Sequence, residues 1–420
     1  MFKPRLVKYL ISFSLLFLFF FFVIYNFVVN RKKVKLLIPN EFFADEELVP
    51  RFARQNKKGL AFSNFTSNEV AVQKISNEDK FDISVLSDYA AVQMMQKGYI
   101  QKIDWSRIKY KKEEIFSPQI YRLIKDYNKQ ISTDPEFDFL DYSIPYFWGY
   151  VGLFYNTAGE NAEELKRDVE NLGWGIFQTK EKYPKMAMYD SSRDGFMVAL
   201  KHLGYTMNPL LDTDKNQKQN HPAIDSAMGF LKTSIQNNPE LRFITDEIFD
   251  AMADGTFDLI NAYSGDALNI IKGQDGEVNQ DLKFAKPKSG TNFFIDGLQI
   301  PKTANLDNAY DFINFMLDFE NAKDNADEIG YISPLKSVHK KQLMDTFDLA
   351  DKSLNLRMLE AQIDKFFETG KVTDIQIKPK YENLFEILTA QKGDKDELFL
   401  HEDNMKKEID RLWISFRGSN

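Results

Sequence analysis

Cysteine is absent from this 420-residue chain. Its absence excludes a disulfide framework, a thiolate-ligated zinc or iron–sulfur centre, a thiol nucleophile and lipid attachment at an N-terminal cysteine. The four histidines, His202, His221, His339 and His401, are too scattered for a histidine-rich metal centre. Basic charge is concentrated at the start. Lys3, Arg5, Lys8, Arg31, Lys32, Lys33 and Lys35 fall in the first 35 residues, which hold no acid. Taking these seven charges from the total of −8 leaves −15 on the remainder. A body this acidic lacks the basic face that nucleic-acid binding needs, so no nucleic-acid partner is expected. It is compatible with a cationic ligand. The P-loop GxxxxGK[ST], the GxSxG elbow and HExxH are all missing. Asp190-Ser191-Ser192-Arg193-Asp194 has no histidine beside it in sequence. The expectation is a protein without catalysis, cofactor or metal.

What is present begins with a long hydrophobic run. Tyr9–Val29 is 21 residues without a charge, enough to cross a bilayer core as a helix. It exceeds the apolar region of a cleaved signal, and no small-x-small cleavage site follows it. Residues 1–33 therefore read as an uncleaved anchor in the cell membrane; positive charge flanks both ends of the run, so charge does not settle on which face the body lies. No second run of this length occurs, so the chain is not read as a channel or multi-span transporter.

Hydrophobic residues at 43% and charged residues at 28% describe a globular body, long enough for two or three domains. Val34–Ile38, Ala61–Ser67 and Phe81–Leu86 read as strands. Helical patterns lie between and after them at Ala44–Gln55 and Asp88–Gly98. This alternation predicts an α/β fold with a parallel sheet covered on both faces. Ligands in such sheets bind at the carboxyl ends of strands, which points to Pro39–Phe42 and Ser87–Tyr89. Lys185–Tyr205 and Gly255–Gly273 each read as strand, turn and helix. Phe293–Pro301 reads as a further strand, and Ala309–Asp318 as a helix. The charged stretch Gln391–Asp403 reads as a surface excursion.

Several segments together resemble the spermidine/putrescine-binding proteins of ABC polyamine importers, which are extracytoplasmic solute-binding proteins. They are SNEVAVQKI (67–75), FDISVLSDYAAVQMMQKGYIQKID (81–104), YSIPYFWG (142–149), ALKHLGY (199–205), FFIDGLQIP (293–301), and INFMLD with EIGY (313–318 and 328–331). They keep family order over roughly residues 34–385. The resemblance implies a two-lobed, periplasmic-binding-protein-like fold of type II with a ligand cleft between the lobes. Lobe one is expected at 34–149 and 297–336, lobe two at 150–296 and 337–405, and a tail at 406–420. It further implies a polyamine ligand and the permease subunits of an ABC importer as partners. A polyamine is a row of ammonium groups joined by methylenes. Each ammonium needs a carboxylate when buried, and aromatic faces suit both parts.

Site residues follow from the resemblance by position. Asp296, with Phe294 two residues before it, is expected to pair with an amine. Asp194 matches the distal acid of a family turn, Ser191 stands where a second acid is common, and Asp190 is its neighbour. Helix capping is the alternative reading there. Ser87 and Tyr89 match Ser-x-Tyr, with Asp88 between them as a ligand acid or a cap. Pro39-Asn40-Glu41-Phe42 replaces Trp-Thr-Glu-Tyr, giving Asn40 and Phe42. Tyr263 stands for a tryptophan, Tyr331 matches an aromatic or hydroxyl donor, and Thr245 a small hydroxyl. Gln376 is a candidate for the family's C-terminal polar residue. Two alternatives stay open: the same fold with another solute, and a surface interaction protein that no longer transports.

Overall fold

The computed structural model describes residues 33–159, 161–209, 222–245, 247–273, 277–350, 356–371, 379–400 and 403–418. The expected anchor and Gln376 lie outside them. Among the described residues no helix is long and apolar enough to cross a membrane.

The first third follows the sequence pattern closely. Strands β1 (Lys33–Pro39), β2 (Gly59–Phe65) and β3 (Ile83–Ser87) pair in parallel, with β1 in the middle. Val34, Leu36, Leu37 and Ile38 of β1 are all buried, as expected for a strand covered on both faces. The intervening helices are Asp45–Asn56 and Asn68–Ser76. Ser67 caps the second, accepting from the Val70 amide at 3.4 Å. The helix Asp88–Gln96 starts directly after β3, and Gly98, at φ +70°, turns the chain away.

The sheet is mixed rather than parallel throughout. Strand β4 (Ile144–Asn156) is 13 residues long, and β9 (Phe293–Gln299) runs beside it. Both insert antiparallel to their neighbours, β9 against β3 and β4, and β4 against β7 (Leu259–Tyr263) and β8 (Leu282–Ala285). Strands β5 (Met186–Tyr189) and β6 (Arg242–Ile244) then continue in parallel from β7. The order is β2-β1-β3-β9-β4-β7-β5-β6, with β8 also on β4. A parallel alternation predicted from βαβ units alone has no place for such returning strands, so the antiparallel direction of β4 and β9 differs from the expected sheet. Tyr146 is an extra residue in β4 opposite the Gly297–Asp296 step, a β-bulge.

Two apolar cores form. One gathers around β1, β3 and β9 with Phe52, Trp148, Phe293 and Phe312. The other gathers Trp174, Phe177, Phe196 and Leu231 with Trp413 and Phe416 from the C-terminal helix Asp403–Arg417. Tyr89 and Tyr263 border both. Residues 337–405 do not sit on one side only. The helix Leu356–Thr369 packs on Pro118–Ile131 near the first core, whereas Pro379–Thr389 packs on β8 and on the helix Ser264–Lys272. The stretch after Gln391 is no surface excursion. Leu398 and Phe399 are buried, and the buried Asp396 is neutralised by Lys286 at 2.6 Å. From 406 onward the chain continues the C-terminal helix, packed on Ser192–His202 and Pro222–Asn237.

Candidate functional site

The carboxyl end of β3 meets β9 with Ser87 opposite Asp296. The Ser87 hydroxyl donates to Asp296 Oδ1 at 2.7 Å and accepts from Asn68 Nδ2 at 3.0 Å. Burial raises the Asp296 carboxyl to about 6, against the lowering effect of the Ser87 bond. Asp88, next in sequence, points the other way. It is 1% exposed and accepts from the Tyr89 and Ile295 amides at 2.6 and 3.2 Å. Its role is to tie the helix Asp88–Gln96 to β9 beneath the site. Burial pushes its carboxyl up to about 8, and the nearby Asp296 charge adds to this.

Aromatic rings cluster at Phe294, two residues before Asp296 on β9. Phe294, on the same face of β9, is edge-on to Tyr263 at 5.4 Å and to Tyr331 at 6.2 Å. Tyr331 also meets Phe42 at 5.2 Å, and its hydroxyl donates to Asp266 at 2.9 Å. Gly265 permits this arrangement, since a Cβ there would lie 2.3 Å from the Tyr331 ring. Tyr146, presented by the bulge, holds the Phe42 carbonyl at 2.8 Å and accepts from Asn325. The bulge thus fixes the loop that follows β1.

The turn before Ser192–His202 is differently used. Ser191 caps that helix, accepting from the Asp194 amide at 3.4 Å. Asp194 is 3% exposed and accepts from the Tyr263 hydroxyl at 3.1 Å; burial raises its carboxyl above the usual range. Asp190 faces the C-terminal helix. It accepts from Trp413 Nε1 at 3.2 Å and from both Nε and a terminal nitrogen of Arg417, at 3.2 and 3.0 Å. Trp413 reaches it by lying over Gly195, where a Cβ would stand 2.3 Å from the indole. Arg193 crosses to β3's side and lies over the Tyr89 ring at 3.5 Å, with Glu69 at 3.6 Å.

An open cleft of about 1250 Å³ lies between the ends of β1 and β2 on one side and those of β5 and β7 on the other. Asn40, Phe42, Tyr263, Tyr331 and Thr245 line it. So do eight acids, Glu41, Asp45, Glu46, Glu47, Asp266, Asp324, Asp327 and Glu328, and no lysine or arginine. The balance favours a cation, even though Asp324 and Asp327 are paired with Arg51 and Lys323. Thr245 is exposed and bonded to Glu247. Ser87, Tyr89, Asp194, Phe294 and Asp296 do not line it; Asp194 and Phe294 reach it through the lining residues Tyr263 and Tyr331. The structure thus brings most of the expected residues together and draws Asp88, Asp190 and Ser191 into other contacts. Three contributors were not named as site residues from the sequence. Asp266 sits one turn into a helix behind Tyr263, Arg193 was in the quoted turn, and Glu41 was in the aligned quartet. Glu41's φ of +52°, unusual for a non-glycine residue, marks the loop it occupies in the cleft wall. Among the described residues no group of three or more metal-ligating side chains converges.

The chain as a whole is similar to several known proteins. The spermidine/putrescine-binding periplasmic protein of Salmonella typhimurium is 27% identical over 310 residues, covering 73% of this chain and 78% of that one. The putrescine-binding periplasmic protein SpuD of Pseudomonas aeruginosa is 25% identical over 292 residues, covering 66% and 71%. Among solved structures, a putative spermidine/putrescine ABC transporter from Listeria monocytogenes superposes with a TM-score of 0.65 at 25% identity, covering 93% of this chain and all of that one. The substrate-binding protein PotD from Streptococcus pneumoniae shares the fold, with a TM-score of 0.62 at 22% identity over 92% and 98%. The resemblance read in the sequence is therefore borne out. Residues 48–348 match the family described as bacterial extracellular solute-binding protein, and the chain belongs to that family.

Proposed function

We propose that this chain is the substrate-binding subunit of an ABC importer for a polyamine, acting by capture and delivery without making or breaking bonds. The observation that carries this reading is Asp296, half-buried, held by Ser87 and set two residues after Phe294, which meets Tyr263 and Tyr331 of an acid-lined cleft. An ammonium at Asp296 gains a buried carboxylate and ring faces together, each face contributing about 0.5–2 kcal/mol. Relatives named for spermidine and putrescine support the same ligand class.

In this reading the two halves of the sheet act as lobes, 34–149 with 297–336 and 150–296 with only part of 337–405, since the helix Leu356–Thr369 packs with the first, and they close on the ligand to present a surface to the permease. Residues 9–29 anchor the chain in the cell membrane with its body outside. A tether keeps the receptor close to its permease and raises its effective concentration there. Retention in the membrane pellet after alkaline carbonate extraction supports the anchor; release of the full-length chain removes it.

The deciding experiment is calorimetric titration of the purified full chain with putrescine, spermidine and spermine, with lysine and a divalent metal as controls. Micromolar or tighter binding of at least one polyamine is expected. A folded sample that binds none of the three overturns the reading and favours another solute or an interaction role.

A further inference from the structure

A serine placed just before a helix ordinarily turns its hydroxyl onto the amides of the first turn. Ser87 stands before the helix Asp88–Gln96 with extended backbone, yet its side chain makes no such bond. Asn68 directs that hydroxyl elsewhere. Asn68 Oδ1 accepts from the Ser87 amide at 3.1 Å, and Asn68 Nδ2 donates to the Ser87 hydroxyl oxygen at 3.0 Å. Only the carboxamide oxygen can meet an amide N–H, so the first bond decides which way the asparagine faces. The second bond then brings a donor to the serine oxygen. The single hydroxyl proton has no acceptor on that side, and it is given to Asp296 Oδ1 at 2.7 Å.

Asn68 is itself held in place. It opens the helix Asn68–Ser76 directly after the capping Ser67. The next residue, Glu69, is paired with Arg193 at 3.6 Å and with Lys406 at 3.3 Å. Ser87 and Asp296 are opposite each other in the sheet. A helix start and two strands thus supply one directed row, Asn68 to Ser87 to Asp296. The last bond of the row favours the ionised carboxyl, against the burial that disfavours it. The titratable neighbours Asp88 and Tyr331 carry no charge near pH 6, since burial pushes the Asp88 carboxyl up to about 8 and the Tyr331 hydroxyl well above its usual range.

Resting on the polyamine reading above, we propose that Asn68 is a positioning residue of the ligand site: without touching the ligand, it turns the Ser87 proton onto Asp296 and so keeps that carboxylate set for an ammonium group before one arrives.

The test is Asn68→Asp in the purified full chain. The new side chain keeps the shape but, once ionised, only accepts, so the Ser87 hydroxyl turns to it and Asp296 loses its donor. The titration of Asp296 is followed by carbon NMR of labelled aspartate, its signal identified by its loss in Asp296→Asn. The midpoint, about 6 in the wild-type chain, is expected to rise by about one pH unit or more. Putrescine and spermidine affinity should fall mainly below pH 7 and recover toward pH 8.5. In a Ser87→Ala background the same substitution should move the midpoint by less than about half as much, which separates the turned hydroxyl from the added charge. Ser67→Ala, which uncaps the same helix, should leave the midpoint where it is. If Asn68→Asp folds poorly, Asn68→Ala frees the hydroxyl and should raise the midpoint in the same direction. An unmoved midpoint in a folded variant, or an equal shift with and without the Ser87 hydroxyl, overturns the proposal. A wild-type chain that binds neither amine removes the polyamine reading, and the carboxyl midpoints still decide whether Asn68 sets Asp296.

Discussion

Ser87 and Asp296 face each other in register across β3 and β9, and the serine hydroxyl donates to the carboxylate at 2.7 Å. The two residues are 209 apart in the chain. Their pairing fixes the acid on the face of β9 that carries Phe294, which in turn meets Tyr263 and Tyr331.

Asp296→Asn keeps the shape and the Ser87 contact but removes the charge. Polyamine affinity should fall at least tenfold, about 1.4 kcal/mol or more. The melting temperature should hold or rise, because a buried charge is lost. Calorimetry paired with thermal denaturation separates these. Unchanged affinity in a folded variant removes Asp296 from the site.

Binding should also depend on pH through the same carboxyl. Without ligand it titrates at about 6. A bound ammonium favours the ionised form, so its pKa falls on binding. Affinity is then full above pH 6 and declines below it, by up to about tenfold per pH unit. Near pH 6 protons should be released on binding, read from titrations in buffers of different ionisation enthalpy. A flat profile from pH 7.5 to 5 contradicts this linkage.

Gly265→Ala is expected to damage the box without touching a ligand. The new methyl would sit 2.3 Å from the Tyr331 ring, which must tilt out of place and strain its bond to Asp266. Overpacking of this kind costs about 1–3 kcal/mol of stability. Weaker binding should accompany a lower urea midpoint. If both stay unchanged, the ring is not pinned as described.

Much of this architecture was readable from residue order. The strands β1, β3, β7 and β9 announce themselves as short apolar runs closed by polar turns, and Gly98 and Gly204 end the helices they follow. The expected residues that the fold brings together, Phe294, Tyr263 and Tyr331 beside Asp296, lie on those strands or on quoted family segments. What stayed hidden depends on partners far along the chain. Nothing near Asp190 reveals that Arg417, 227 residues later, will claim it. The charged segment after Gln391 looked solvated because its neutralising lysines are distant, Lys286 for Asp396 and Lys201 for Glu397. Antiparallel β4 and β9 were equally opaque, since a strand's own pattern does not state its direction.

Acid should destabilise the protein through His339. The ring is fully buried between Trp148 and Phe367, with Nε2 at 2.8 Å from the Leu388 carbonyl and Nδ1 unpartnered. Burial lowers its pKa to about 4 from 6.5. The unfolded chain therefore binds more protons between those values. Stability is complete above about pH 6.5 and is lost as pH falls toward 4, by up to roughly 3 kcal/mol. His339→Phe should flatten that slope between pH 7.5 and 5 in urea titrations, while lowering the plateau by about 1–3 kcal/mol for the orphaned carbonyl. An equal slope in both proteins excludes His339 as its source.

The 13 residues of β4 are hydrogen-bonded to β9 at one end and to β7 and β8 at the other. One strand that serves both half-sheets forbids them to slide past each other, because sliding would break its ladder on one side. Bending or twisting of β4 between its two ladders, near Tyr150 and Val151, keeps both intact. A pivot of that kind changes distances most at the rim, where the acids of the cleft stand, and least at Asp296, close to the bend. Any opening of the cleft would then act like an adjustable aperture over a fixed anchor, altering access to the carboxylate without altering its setting.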